Sequence, residues 1–100
     1  MKYPKEYLDE IKTRLKVSTV VSKTVNLKKR GKEFVGLSPF KTEKTPSFTV
    51  NDEKAFYHCF STSEHGNIFD FIMKTQNLKF GEAVKYLANL AGMQPYTFSK

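Results

Sequence analysis

Three side chains able to ligate a soft metal or move a proton lie close together in the stretch YHCFSTSEHGN, residues 57–67: His58, Cys59 and His65. Cys59 is the only cysteine of the chain. A structural zinc needs about four nitrogen or sulfur donors. His58 and Cys59 are neighbours, so on an extended strand they point to opposite faces. Cys59 with His65 alone is too small a donor set. No other catalytic constellation stands out. Asp70 and Glu82 read as single solvated carboxylates on helices, no Ser/His/Asp arrangement can be defended, and the five glycines are scattered singly instead of forming a phosphate-binding loop.

The second chemically suggestive stretch is Lys28-Lys29-Arg30-Gly31-Lys32. Four cations in five residues repel one another unless an anion is near, and a turn would project them where they can neutralise phosphates and release counterions. The net charge is +7, with 17 basic against 10 acidic residues. Residues 23–54 hold eight of the basic side chains and only four acidic ones. A localised excess of this kind suits a polyanion partner or a solvated surface that keeps the chain in solution. The aromatic run AFYHCF, residues 55–60, adds rings that could stack on unpaired bases. Phe48 and Phe60 read as core, and Phe56, Tyr57 and His58 as candidates for base contact.

These groups need elements to position them. One hundred residues make one domain. A single cysteine excludes an internal disulfide and fits a reducing compartment. The charged start and the lack of a long apolar run argue against a signal peptide or a membrane span, so the chain reads as a soluble cytoplasmic protein with no membrane partner. Leu8, Ile11 and Leu15 give residues 4–15 a helical stripe beginning at Pro4. Ser18 is a plausible cap for a short helix carrying Val20 and Val21. Two strands are expected around Arg30-Gly31, a loop over SPFKTEKTPS, then SFTVN with Phe48 and Val50 on one face, a turn at NDEK, and AFYHCF as a further strand. That makes about four antiparallel strands. Asn67 can cap a helix with the stripe Ile68, Phe69, Ile72 and Met73. A last helix carries Phe80, Ala83, Val84, Leu87, Leu90 and Ala91, with Gly92 just past its end.

In this order the residues resemble a known family. The run NLKKRGKEFVGLSPFKTEKTPSFTVNDEKAFYHCF, with the Glu43–Phe48 block, the Tyr57–Phe60 block, Asn67-Ile68 downstream and the pattern from Phe80 to Val84, is similar to the N-terminal zinc-binding domain of bacterial DNA primases, of the Cys-His-Cys-Cys (CHC2) zinc-ribbon type. The resemblance implies an α+β fold: a small antiparallel zinc-ribbon-like sheet flanked by N- and C-terminal helices, spanning residues 1–92, with 93–100 starting a linker to a polymerase domain. It places the family's four metal positions on Ser38, Lys41, Cys59 and Thr62, with both two-residue spacings intact. Only Cys59 remains a good ligand, so no zinc is expected. Cys59 then reads as a small buried apolar residue. Phe40, Phe48, Phe56, Phe60, Phe69 and Phe71 are available to fill the vacated corner, and Lys41 to snorkel or pair with Glu43 or Glu64.

The implied role is binding of single-stranded DNA template and choice of the start site for RNA primers. Lys28, Lys29, Arg30, Lys32 and Lys44 would hold phosphates, and Phe56, Tyr57 and His58 would meet bases. Nucleotidyl transfer with Mg²⁺ would belong to a polymerase domain acting in cis or in trans, and helicase contact to other parts of the protein. No catalytic residue and no cofactor is expected within these 100 residues. The alternatives are a module docking on another replication-fork subunit and a degenerate scaffold.

Overall fold

The computed structural model describes residues 3–40, 42 and 44–96. Lys41 and Glu43, two of the residues singled out above, lie outside them. The chain runs α1 (Lys5–Arg14), α2 (Val17–Val21), β1 (Lys28–Arg30), β2 (Glu33–Gly36), β3 (Phe48–Asn51), β4 (Phe56–Cys59), β5 (His65–Gly66), α3 (Ile68–Gln76) and α4 (Phe80–Leu90). The strands form one antiparallel meander in the order β1-β2-β3-β4-β5. This is the α+β ribbon with flanking helices that the sequence implied, with one strand more than expected. β5 is only two residues long, too short to show an alternating pattern.

Pleating sorts the side chains. On β3 and β4, Phe48, Val50, Tyr57 and Cys59 are fully buried, while Thr49, Asn51, Phe56 and His58 are half-buried on the other face. Helix α2 packs on β3 and α3 on β5, and α4 joins α3 to α1. The core collects Ile11, Val20, Val21, Phe48, Val50, Tyr57, Phe71, Val84 and Leu87. Its densest part is a closed set of four rings. Phe48 stacks on Tyr57 at 5.3 Å, Phe71 meets Tyr57 edge-on at 5.6 Å, and Phe40 lies 6.0–6.3 Å from all three. Each such pair adds about 0.5–1.5 kcal/mol beyond its area.

Local signals explain most boundaries. The β1–β2 hairpin turns on Gly31-Lys32, one residue later than expected, because Gly31 takes the left-handed φ of 63° that a two-residue turn demands. Helix α3 opens with a reciprocal capping box: Asn67 Oδ1 accepts from the Asp70 N–H, and Asp70 Oδ2 accepts from the Asn67 N–H. Helix α4 ends in a Schellman motif, with the Met93 N–H bonded to Ala88 O and the Gly92 N–H to Asn89 O. Beyond it Tyr7 Oη donates to Gln94 O, and Tyr96 packs on Tyr3 and Tyr7. Ser18 does not cap α2; it lies inside the first turn, and Lys16 holds the cap position. The cap comes from far along the chain. The carboxylate of Asp52, in the β3–β4 turn, accepts from the Ser18 N–H at 2.8 Å and from its hydroxyl at 2.5 Å. Among the described residues no helix is long and apolar enough to cross a membrane.

Candidate nucleic-acid interface

Directly paired residues of an antiparallel sheet point to the same side. The register therefore defines a row across all five strands: Lys28, Val35, Thr49, His58 and His65. Beside it Arg30 pairs with Glu33 at the hairpin end, and Asn51 with Phe56. All of these belong to the face opposite the core, and each is half-buried or exposed. Phe60, just past β4, is 65% exposed. Its ring lies 4.3 Å from that of His58, and His65 approaches His58 edge-on at 6.1 Å. Rings thus gather toward the β4–β5 edge and cations toward the β1–β2 edge.

The pleat divides the sequence candidates. Lys28, Arg30, Phe56 and His58 share the outer face. Lys29 goes to the other side of the hairpin, with its ammonium 5.4 Å from the centre of the Phe34 ring. Lys32 sits exposed in the turn, and Lys44 exposed in the β2–β3 loop. Tyr57 is a correction. It is fully buried in the four-ring cluster and offers no ring to a base, because consecutive strand residues alternate and Phe56 and His58 already occupy the outer side. Burial pushes its phenol pKa up, with the nearby Lys74 ammonium pulling it down. Phe60 is the converse correction. It continues the alternation of Phe56 and His58 past the strand end, so its ring falls on the outer side beside His58. His65 and Thr49 were missed as members of this face. Their register could not be seen, since β5 is too short to recognise and Thr49 is an ordinary strand residue.

On the inner side two of the positions with paired two-residue spacing, Ser38 and Thr62, meet at Cys59. Ser38 and Cys59 are both buried. The thiol donates to Ser38 Oγ at 3.1 Å and lies 3.3 Å from Ser61 Oγ and 3.9 Å from Ser47 Oγ. Thr62 Oγ1 accepts from the Glu64 N–H, closing the turn after β4. Burial pushes the Cys59 thiol up. Hydrogen bonds from Ser38, from Ser61 and from the side chain and backbone of Thr62 outweigh it and bring the pKa down to about 6. Cys59 is buried in the core cluster as expected, and the hydroxyls of Ser38, Ser47 and Ser61 gather at its sulfur. Glu64 is engaged by Lys74. Among the described residues no three His, Cys, Asp or Glu side chains stand together as a metal site. Hydroxyls are poor zinc donors beside thiolate and imidazole, so this corner does not fit the tetrahedral zinc of a ribbon.

A five-stranded antiparallel meander with helices packed on its buried face is the frame of a zinc-ribbon domain of this kind. The chain belongs to the CHC2 zinc finger family, whose sequence profile matches residues 3–99. It is 43% identical over 94 residues to a DNA primase of Haemophilus influenzae, covering 93% of this chain and 16% of that protein. It is 46% identical over 91 residues to a DNA primase of Pseudomonas putida, covering 91% of this chain and 14% of that protein. The fold matches the crystal structure of the Aquifex aeolicus primase, comprising zinc-binding and RNA polymerase domains, with a TM-score of 0.82 and 28% identity over 88% of this chain and 22% of that one. The chain thus spans only a small part of the length of these relatives.

Proposed function

We propose that this domain binds single-stranded DNA template for a DNA primase, and that the outer face of the sheet is the binding surface. The observation that carries the reading is the row Lys28, Val35, Thr49, His58 and His65, flanked by Arg30, Phe56 and Phe60, on the side away from the helices. Cations at one edge suit the phosphates, and exposed rings at the other suit unstacked bases. Lys32 and Lys44 extend the basic rim. Residues 1–92 form the binding unit, and 93–100 lead toward a polymerase domain acting in cis or in trans.

Primer synthesis, with its Mg²⁺ and its acidic residues, belongs to that polymerase domain, and helicase contact to further parts of the protein. The setting is the bacterial cytoplasm. The domain performs its part without zinc, since Ser38, Lys41 and Thr62 replace three ligands. Fluorescence anisotropy with a labelled single-stranded oligonucleotide tests the reading. Binding should weaken on raising salt, and His58→Ala with Phe56→Ala should lower affinity by about tenfold or more. An unchanged affinity in that double variant would exclude the face.

A further inference from the structure

The outer face does not stop at β1. It runs into a cleft of about 520 Å³ between the segment leading into β1 and the β2–β3 loop, lined by Val25, Asn26, Val35, Leu37, Pro39 and Pro46 among others. A volume of this size falls within the range of sites that hold small organic ligands. Aliphatic and prolyl side chains make up about half of the lining, and Thr24 and Asn26 add polar groups. Lys28 and Lys44 line the same cleft. Lys28 and Val35 are also the first two members of the outer row, so cleft and sheet face are continuous. Leu37 is 47% exposed here, which leaves an apolar side chain open to contact. The floor is held by Gly36. A Cβ there would lie 2.8 Å from Asn26 O and 2.9 Å from Val25 Cγ1, so β2 and the 25–27 segment meet more closely than any other residue would allow.

From this geometry we infer that the cleft takes one unstacked base of the strand lying on the outer face, with the adjoining phosphates held by Lys28 and Lys44. The inference rests on the template-binding reading above and adds a specific place for one nucleotide. Aliphatic and prolyl walls accept the flat faces of a base. Two cations on the lining, in the most basic third of the chain, select a phosphorylated ligand over a neutral one. Continuity with Lys28 and Val35 makes the occupant part of a bound strand and not a separate small molecule.

The test compares this chain with its Leu37→Ala and Lys44→Ala variants, binding dT12 and an abasic 12-mer carrying the same phosphates. Leu37→Ala should lower affinity for dT12 by about tenfold, the worth of the apolar area a base would cover on a half-exposed leucine, and leave the abasic strand unaffected. Lys44→Ala should weaken both strands and reduce the log–log salt slope by about 0.7. A dT12 containing 4-thiothymidine should photo-cross-link to residues 35–39 or 44–46 as well as to the outer face. Equal dT12 affinity in wild type and Leu37→Ala, with cross-links confined to β4 and β5, would overturn the cleft while leaving template binding intact. Loss of the cleft cross-link to an equal concentration of thymidine monophosphate would overturn the strand as its occupant. Failure of wild type to bind dT12 would remove the template reading itself.

Discussion

The hydroxyls around Cys59 decide what its replacement costs. With Ser38 at 3.1 Å and Ser61 at 3.3 Å, a serine at position 59 finds donors and acceptors already in place, whereas alanine removes the hub they share. Burial alone would make the serine the worse substitution, since a buried hydroxyl needs a partner; the hydroxyls at this sulfur supply one. Cys59→Ala should cost about 1–2 kcal/mol and Cys59→Ser less, read from urea midpoints. The same contacts set a pH dependence. The thiol pKa is about 6 in the fold, below the value of about 8.5 for an unfolded cysteine. A depressed acid stabilises the fold fully above its unfolded value, and that contribution is lost as pH falls through the folded one. The urea midpoint should therefore rise between about pH 6 and pH 9 in wild type more than in Cys59→Ala, and equal curves would show that Cys59 stays a neutral thiol in the fold. Cys59, read from sequence, is buried; that three serines surround it was hidden, because Ser38, Ser47 and Ser61 meet only once β2, β3 and β4 are aligned.

At the scale of elements, the strongly periodic segments were legible. α1, α3, α4 and the alternation of Phe48 and Val50 follow from local pattern, as does the Asn67 cap. Features depending on contacts distant in sequence were not. Asp52 caps α2 across 34 positions, and no property of VSTVV announces it. Because α2 is five residues long and rich in β-branched side chains, it depends on this carboxylate more than a long helix would. Asp52→Ala should destabilise the domain by about 1–2 kcal/mol, measured by thermal or urea unfolding, while Asp52→Asn should recover part of the loss. The hairpin gives a sharper case. As a run, Lys28, Lys29 and Arg30 look equivalent. The pleat sends Lys28 and Arg30 to the outer face and Lys29 to the Phe34 side. Replacing Lys28 or Arg30 with Ala should lower the salt slope for single-stranded DNA by about 0.7 each, and Lys29→Ala should change it less. Equal effects at all three positions would mean that the turn acts as an unstructured charge cluster.

For the molecule as a whole, the zinc-free reading proposed above raises the question of what holds the ribbon together. Structural zinc contributes roughly 10–16 kcal/mol in isolated finger peptides, which are unfolded without it. Here the ribbon is not isolated. Its inner face is closed by α2 and α3, and Phe40, from the loop that would carry two of the ligands, joins Phe48, Tyr57 and Phe71 in one ring cluster. Phe69, also available on sequence grounds, instead packs against Phe80 on the helical side, while Phe56 and Phe60 lie on the outer side. On the zinc-free reading proposed above, a four-ring core with a hydrogen-bonded thiol beside it would carry the cohesion that four ligand bonds supply in a zinc-bearing ribbon. If that transfer is complete, the melting temperature of this chain should be the same with and without a strong chelator, and the purified protein should carry far less than one equivalent of zinc. Phe40→Ala should then be severe, costing about 3–5 kcal/mol, because it opens the cluster at the place where the metal would otherwise have tied the loop. Near-stoichiometric zinc, or a melting temperature that drops on chelation, would show that metal still holds this corner. A mild Phe40→Ala would show that the ring cluster is not what replaced it.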